Sequence, residues 1–171
     1  LGSRVLLHFG AVDWEATVYV NSALCGRHRG GYTPFSLDIT PALRHGEAKA
    51  TVSVRVWDPT SAGTQPRGKQ VSTPSGIWYT PSTGIWQTVW LETAPACRLD
   101  SIECVARLQE GIVEVRVRAA VPDAWEDALH CHAVASTGAA VVAEASAEVA
   151  PGAGARELAC VIALPVPRAR L

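Results

Sequence analysis

The chain lacks several features that would mark common classes of protein. Its 171 residues include no methionine and a single asparagine, and its five cysteines form no CxxC pair. The longest apolar runs are only a few residues, too short to predict a membrane-spanning helix. The net charge of −1 and a pI near 6.6 provide no basic field for nucleic acid and no polybasic stretch for an anionic membrane. We therefore expect neither nucleic acid nor a membrane as a partner.

Cofactor and metal motifs are equally scarce. No glycine-rich phosphate loop and no Gly-x-Ser-x-Gly elbow occurs, so no cofactor is predicted. His130-Cys131-His132 would place two histidines on one strand face, but zinc needs two more ligands and none lies nearby in sequence, so we predict a plain strand and no metal. We predict that all five cysteines are free and structural, with one incidental pair as the alternative: Cys25, Cys97, Cys104, Cys131 and Cys160. Free cysteines favour a reducing, cytoplasmic compartment.

The dominant pattern is alternation of apolar and polar residues. Three valines share one face of segment 51–57, and segments 112–121 and 158–164 alternate in the same way. Period-2 stretches separated by glycine and proline turns are typical of antiparallel strands with one buried face. No helical period competes with this signal. The sequence therefore predicts an all-β fold.

Composition changes near Pro95, which divides the chain into two predicted domains, 1–94 and 95–171. Ten of the eleven aromatic residues precede Pro95. The formal charge is +2 before it (eight basic, six acidic residues) and −3 from it onward (seven basic, ten acidic). Short, evenly spaced strands in the second part are typical of an immunoglobulin-like sandwich. They are predicted at about 98–107, 112–121, 128–136, 140–149 and 156–164.

Segment 21–40 is rich in turn residues, and we interpret it as structural. Asn21-Ser22 predicts a turn after a strand. Gly30-Gly31 permits close backbone approaches that a Cβ would forbid. Tyr32 and Phe35 are expected to pack across the sandwich.

Segment 57–92 mixes charged, amide and aromatic side chains in irregular sequence. Sugars need that mixture, because their hydroxyl groups pair with polar side chains and their apolar faces stack on aromatic rings. Asp58, at a strand end, is the leading polar candidate. In the alternative, the tryptophans fill the sandwich and the charges are solvated, and Trp57 and Trp90 are assigned to that role. The candidate substrate-binding residues are Asp58, Arg67, Lys69, Gln70, Trp78, Tyr79 and Trp86.

These two segments resemble the N-terminal sugar-binding domain of family 2 glycoside hydrolases, which include β-galactosidases, β-glucuronidases and β-mannosidases. The first has a strand ending Val-Asn and then His-x-Gly-Gly-Tyr-x-Pro-Phe-x-x-Asp-Ile-Thr. The second ends in Gly-Ile-Trp-Gln-Thr-Val-Trp-Leu-Glu, which is similar to the closing strand of that domain. Residues 96–171 are similar to the immunoglobulin-like domain that follows it.

The resemblance implies a jelly-roll-like sandwich, an immunoglobulin-like sandwich and then a TIM-barrel domain that hydrolyses glycosides with retention, using two glutamates. The acid/base glutamate of the family follows an asparagine, but Asn21 is followed by Ser22, so no catalytic residue is predicted here. The resemblance also implies that Asp58 reaches into the barrel's sugar pocket. Both sandwiches are expected to be truncated, and unpaired strand edges would then favour a homo-oligomer.

The predicted function is that of a non-catalytic N-terminal region of a family 2 glycoside hydrolase. It would brace the barrel and line part of its sugar pocket, with carbohydrate as the partner, and it would be inactive alone. Two alternatives stay open: an autonomous carbohydrate-binding module, and a purely structural or oligomerisation role.

Overall fold

The computed structural model describes residues 3–122, 125–152 and 157–166, and strands dominate these residues. The all-β prediction is confirmed. Residues 3–94 form one compact unit, and the described residues from Pro95 onward form another. Within the described residues no helix is long and apolar enough to cross a membrane.

The N-terminal unit contains two three-stranded sheets and a short two-stranded ribbon. The sheet orders are β5-β1-β8 and β4-β3-β6, and the ribbon is β2-β7. One 3-10 turn, Thr40–Ala42, follows β5. The strands are β1 Ser3–Phe9, β2 Val12–Asp13, β3 Glu15–Val20, β4 Ala23–Arg29, β5 Phe35–Asp38, β6 Val52–Trp57, β7 Gly84–Ile85 and β8 Val89–Pro95.

Alternation along the strands builds the core of this unit. Val54 and Val56 of β6 pack against the core, whereas Trp57 follows on the opposite face and is 53% exposed. Trp90 is 45% exposed and stacks on the His8 ring at a centroid distance of 4.8 Å. The expectation that both tryptophans fill the sandwich is therefore wrong. The buried core residues are Leu7, Phe9, Val12, Ala16, Val18, Val20 and Ile39.

The turn between β3 and β4 forms where Asn21-Ser22 predicts it. Asn21 and Ser22 have φ values of 48° and 69°, in the left-handed region that asparagine tolerates. The Asn21 side chain donates a hydrogen bond to the Ala42 carbonyl and accepts one from the Thr51 N–H, each at 3.0 Å. This turn thus ties two distant segments to the end of β3.

The C-terminal unit consists of five longer strands. They are arranged as a three-stranded sheet, β13-β10-β9, and a two-stranded sheet, β11-β12. Their bounds lie within one residue of the predicted ones: β9 Arg98–Arg107, β10 Ile112–Ala120, β11 Leu129–Thr137, β12 Ala140–Val149 and β13 Glu157–Pro165.

In the core of the C-terminal unit, large aliphatic side chains pack against small ones. Val115 and Val117 of β10 and Ile162 and Leu164 of β13 are buried. Small side chains of β11 and β12 pack against them: Cys131, Ala133, Ala135, Ala143, Ala145 and Ala147. A gap of about 600 Å³ lies beside this contact.

On β9, the face that continues the core face of β10 carries apolar side chains that stay exposed. Ile102 pairs with Val117 and is 57% exposed, and the exposed Cys104 pairs with Val115. The two-stranded sheet therefore covers the face of β10 and β13 but leaves that of β9 open among the described residues.

Candidate functional site

The irregular segment 58–83 connects β6 to β7, and Asp58 ties its two ends together. One carboxylate oxygen of Asp58 accepts the Thr60 N–H at 2.7 Å. The other accepts the Thr83 hydroxyl at 2.8 Å. A carboxylate has about four lone-pair sites, so both oxygens keep capacity for a further donor.

Gln70 organises the middle of this segment. Its side-chain carbonyl accepts the Ser82 N–H at 2.6 Å and the Ser82 hydroxyl at 3.1 Å, and its amide donates to the Arg67 carbonyl at 3.3 Å. The backbone of Tyr79 donates to the Lys69 carbonyl at 2.8 Å. An irregular backbone needs such partners, because no sheet ladder satisfies its polar groups.

A hollow of about 320 Å³ opens where this segment meets β2 and β7. Pairing of Asp13 with Gly84 brings β2 alongside β7. The hollow combines a carboxylate, an amide and three hydroxyl groups with two aromatic rings, one of which carries a hydroxyl. Its lining residues are Asp13, Tyr32, Gln70, Ser82, Thr83, Gly84, Ile85 and Trp86.

Hydrogen bonding and ring contact fix the aromatic side of the hollow. The Trp86 indole N–H donates to the Gly31 carbonyl at 2.7 Å. The Tyr32 ring meets Trp86 edge to face, with centroids 5.9 Å apart. Tyr32 is 53% exposed, so the expectation that it packs across the sandwich is wrong, whereas Phe35 does pack against the core.

Asp13 is the electrostatically unusual group of this unit. Partial burial, followed by the neighbouring charge of Asp58, raises the pKa of the Asp13 carboxyl above its usual range, and a hydrogen bond from Gln70 opposes the rise. A Cβ added to Gly31 would lie 2.6 Å from the Asp13 carboxylate. The predicted close approach at Gly30-Gly31 thus has a specific cause at Gly31, since a Cβ there would force the Asp13 carboxylate to shift.

The structure brings some of the candidate residues from the sequence to the hollow and leaves others outside it. Gln70 and Trp86 line the hollow, and Asp58 lies one hydrogen bond away, behind Thr83. The Arg67 guanidinium donates to the Ser61 carbonyl at 3.0 Å and so braces the loop. Lys69, Trp78 and Tyr79 are exposed and lie outside the lining of the hollow.

Sequence reasoning missed Asp13, Tyr32, Ser82 and Thr83, all of which line the hollow. One available signal was the carboxylate of Asp13 directly after Ala11 and Val12, two fully buried apolar residues. An acidic side chain at the end of a buried apolar run requires either solvent or a specific partner.

Comparison with known proteins places these features in a family. The sequence profile described as "Glycosyl hydrolases family 2, sugar binding domain" matches residues 1–95. A β-galactosidase of Thermoanaerobacter pseudethanolicus is 32% identical over 117 residues, covering 68% of this chain and 15% of that relative. A β-glucuronidase of Bacteroides fragilis is 43% identical over 54 residues, covering 32% of this chain and 8% of that relative. This chain thus spans a small part of the relatives it matches.

Solved structures show the same fold. A glycosyl hydrolase family 2 member from Bacteroides cellulosilyticus aligns with a TM-score of 0.70 at 22% identity, over 99% of this chain and 21% of that one. A putative β-galactosidase from Bacteroides fragilis aligns with a TM-score of 0.69 at 21% identity, over 97% of this chain and 25% of that one. Because the profile of the sugar binding domain matches more than half of its residues, this chain belongs to family 2 of the glycosyl hydrolases.

Proposed function

We propose that this chain is the non-catalytic, sugar-binding region of a retaining family 2 glycoside hydrolase and supplies one wall of its sugar site. Residues 1–94 are the sugar-binding jelly-roll sandwich, and 95–171 are an immunoglobulin-like sandwich. The two catalytic glutamates belong to a TIM barrel outside these residues. The hollow beside Asp58 is the observation that carries the proposal.

The chemistry of the hollow suits a sugar. Gln70 and Ser82 offer an amide and a hydroxyl that can pair with sugar hydroxyl groups, and Asp13 offers a carboxylate. Trp86 and Tyr32 supply the aromatic surface on which the apolar face of a sugar ring stacks. The volume of about 320 Å³ is near the lower end of the range for small-molecule pockets. The hollow therefore suits one sugar unit rather than a long chain.

Asp58 has two roles in this proposal. It holds Thr83 at the rim of the hollow, and its free lone pairs accept a sugar hydroxyl in the assembled enzyme. Asp58→Ala, made in the enzyme that contains this chain, is expected to lower kcat/KM tenfold or more, which corresponds to about 1.4 kcal/mol. Steady-state kinetics on an aryl glycoside measures the effect.

Two further variants separate sugar contact from loop bracing. Asp58→Asn keeps an oxygen for the Thr60 N–H but removes the charge, whereas Thr83→Val removes the brace and keeps the charge. Sugar contact predicts the larger loss for Asp58→Asn. Asp100→Asn, an exposed site on β9, is the matched control and should leave kinetics unchanged. Unchanged kinetics for every folded Asp58 variant would favour the purely structural role.

The isolated chain tests the autonomous-module alternative. We expect no hydrolysis of aryl glycosides and at most weak binding of a monosaccharide, because only one wall of the site is present. Titration calorimetry with methyl β-galactoside and methyl β-glucuronide checks this. Micromolar binding by the chain alone would support a carbohydrate-binding module instead.

Self-association of the chain is a separate proposal. The apolar face of β9 is open, and β11 has no partner on one side among the described residues. Strand β11, Leu-His-Cys-His-Ala-Val-Ala-Ser-Thr, carries no Lys, Asp, Glu or Pro to discourage pairing with a second copy. Light scattering at high concentration should show a dimer, and a clean monomer would contradict it.

A further inference from the structure

The outer face of the sheet β4-β3-β6 carries two arginines on either side of one threonine. Thr17 of β3 lies opposite Arg27 of β4 and opposite Arg55 of β6 in the two strand ladders. Successive residues of a strand point to opposite faces, and Ala16 and Val18, which flank Thr17, are fully buried in the core. Arg27, Thr17 and Arg55 therefore form one row across the outer side of the sheet.

These two arginines differ from the others in their side-chain contacts. Among the described residues, eight arginines form an ion pair or a side-chain hydrogen bond, and only Arg27 and Arg55 form neither. The eight are Arg4, Arg29, Arg44, Arg67, Arg98, Arg107, Arg116 and Arg118. Like charges on neighbouring positions of a sheet face destabilise it, so an anion between the two arginines would be stabilising.

A hollow of about 380 Å³ lies over this row and is lined by Glu15, Thr17, Arg27, Arg55 and Trp57. Thr17 is only 9% exposed. No fully buried side-chain oxygen among the described residues lacks a hydrogen-bond partner, so the Thr17 hydroxyl, which has none there, opens into the hollow. The hollow therefore has a hydroxyl at its floor and a guanidinium group on each side.

The hollow carries an excess of positive charge. The Glu15 carboxylate also lines it, but the Arg29 guanidinium donates two hydrogen bonds to one oxygen of that carboxylate. Three arginines, Arg27, Arg29 and Arg55, thus oppose one glutamate, which leaves two positive charges on this part of the face. The guanidinium fork matches the oxygens of a carboxylate, sulfate or phosphate group in both geometry and charge. The hollow is therefore suited to an oxyanion.

The aromatic side of the hollow favours a sugar as the carrier of that oxyanion. Trp57 is 53% exposed and lies opposite Glu15 at the end of β6. An exposed indole beside polar groups provides a surface for the apolar face of a sugar ring. The volume of about 380 Å³ is near the lower end of the range for small-molecule pockets, so it suits a monosaccharide unit rather than a bare inorganic ion.

We propose that this hollow is a second carbohydrate subsite, which binds an acidic sugar unit through its carboxylate or its sulfate or phosphate ester. Arg27 and Arg55 hold the oxyanion, Thr17 donates its hydroxyl hydrogen to the ligand, and Trp57 stacks on the sugar ring. The subsite shares no lining residue with the hollow beside Asp58. The two proposals therefore fail separately, because the variants that test one leave the residues of the other in place.

Nuclear magnetic resonance titration of the full 171-residue chain tests the subsite. The probes are glucuronate, glucose 6-sulfate, glucose 6-phosphate, neutral glucose and inorganic phosphate. The readouts are the Nε–H signals of Arg27 and Arg55 and the indole N–H signal of Trp57. We expect the acidic sugars to shift these signals with dissociation constants of about 1–10 mM, and binding should weaken as salt is added.

The panel of probes separates the sources of the oxyanion. The acidic sugar that binds most tightly identifies the group as a carboxylate, a sulfate or a phosphate. Equal binding of neutral glucose would show that the arginines do not hold an oxyanion. Equal binding of inorganic phosphate would show that the sugar ring contributes nothing. Either result, or the absence of binding by every acidic sugar, would overturn the proposal.

Substitutions of the arginines supply the controls. Arg27→Gln and Arg55→Gln should each weaken the binding of the acidic sugar by about tenfold or more, and Arg55→Lys, which keeps the charge but loses the fork, should also weaken it. Arg44→Gln is the matched control, because it removes an exposed positive charge of the same unit that pairs with Glu47. It should keep the wild-type affinity. An equal loss in Arg44→Gln would reduce the effect to the net charge of the unit and contradict the subsite.

Thermal unfolding of the wild-type chain needs no variant to fold. Five of the six tryptophans precede Pro95, so tryptophan fluorescence reports the N-terminal unit. The acidic sugar should raise the unfolding midpoint, whereas neutral glucose at the same concentration and ionic strength should not. A protein contact is the rival occupant of this face. If no probe binds and Arg27→Gln or Arg55→Gln changes the oligomeric state in light scattering, the arginines belong to an interface and the subsite is wrong.

Discussion

The two units of this chain build β-sheet structure with different side chains. The N-terminal unit packs Phe9 among branched aliphatic residues and carries the irregular segment 58–83. The C-terminal unit has strands of nine or ten residues whose sheets meet through alanines and cysteines. The hollow lined by carboxylate, amide and aromatic groups belongs to the first unit. The candidate site therefore lies where the backbone departs from the regular strand ladder.

The polar side chains of the two units also have different partners. In the N-terminal unit, Asp58 and Gln70 accept backbone N–H groups of an irregular loop. In the C-terminal unit, Arg116 joins Glu103 and Glu114 on an exposed strand face. Surface ion pairs of this kind contribute little to stability. Surface ion pairs occur in both units, as between Glu15 and Arg29 in the first, but among the described residues polar side chains shape a long irregular loop in the first unit.

The largest difference between the two units should appear when one buried core side chain is truncated in each. Phe9→Ala removes a fully buried ring that stacks on Phe35 at 4.7 Å, and we expect a loss of about 3–5 kcal/mol in the N-terminal unit. Tryptophan fluorescence during urea unfolding reports it, because five of the six tryptophans precede Pro95.

The matching change in the other unit is Ile162→Ala. Ile162 is buried but lines the gap, so it has fewer neighbours to lose, and the loss should lie nearer about 2 kcal/mol. Hydrogen exchange of β10 and β13 measures it. If Ile162→Ala lowers the free energy of unfolding as much as Phe9→Ala does, the N-terminal core is not more completely packed than the C-terminal one, and the contrast is wrong.

A smaller effect is expected from Gly31→Ala, which places a methyl group 2.6 Å from the Asp13 carboxylate. Overpacking of this kind costs about 1–3 kcal/mol, and it should also disturb the hollow. Gly152→Ala is the control, because a Cβ there would meet nothing within 4 Å. Calorimetric unfolding, which reports both units, should show a loss for the first variant and none for the second. Equal effects would mean that Asp13 moves away freely.

The smallest difference should be in how the stability of each unit depends on pH, and the two slopes should have opposite signs. The raised pKa of Asp13 means that the folded N-terminal unit holds its proton more tightly, so its stability falls as pH rises from about 4 through that raised pKa. Hydrogen bonds from Arg116 and then Arg107 lower the pKa of Glu114, so the C-terminal unit loses stability as pH falls through that lowered value.

Thermal unfolding across pH 3–7, read by fluorescence for the first unit and hydrogen exchange for the second, measures both slopes. Asp13→Asn should flatten the dependence of the N-terminal unit only, and Glu114→Gln that of the C-terminal unit only. Slopes of the same sign in both units would refute the assignment.

Much of the fold follows from local pattern. The alternation of 112–121 fixes which residues of β10 face the core, and Asn21-Ser22 marks a turn, because both signals depend on neighbours in sequence. The family pattern at 28–40 identifies the domain type, as the match to residues 1–95 confirms. Trp57 and Trp90 were misjudged, because hydrophobicity alone does not indicate which face of a strand packs.

The candidate site was predicted less completely, for a physical reason. All candidates were singled out by residue type. Gln70 and Trp86 line the hollow and Asp58 is bonded to its rim, but Lys69, Trp78 and Tyr79 lie outside it. In an irregular loop no period assigns a side chain to a face. Its direction depends on hydrogen bonds such as Thr83 to Asp58, between residues 25 positions apart.

The sequence by itself determined the all-β class, the strand positions of the C-terminal unit and the family, since each is encoded in short-range pattern. Only the tertiary structure decided which side chains meet. Pairing of β2 with β7 brings Asp13 to Gly84, and the packing of two sheets brings small side chains of β11 and β12 against the buried valines of β10. These contacts join residues far apart in the chain, and long-range pairing and packing determine them rather than any local preference.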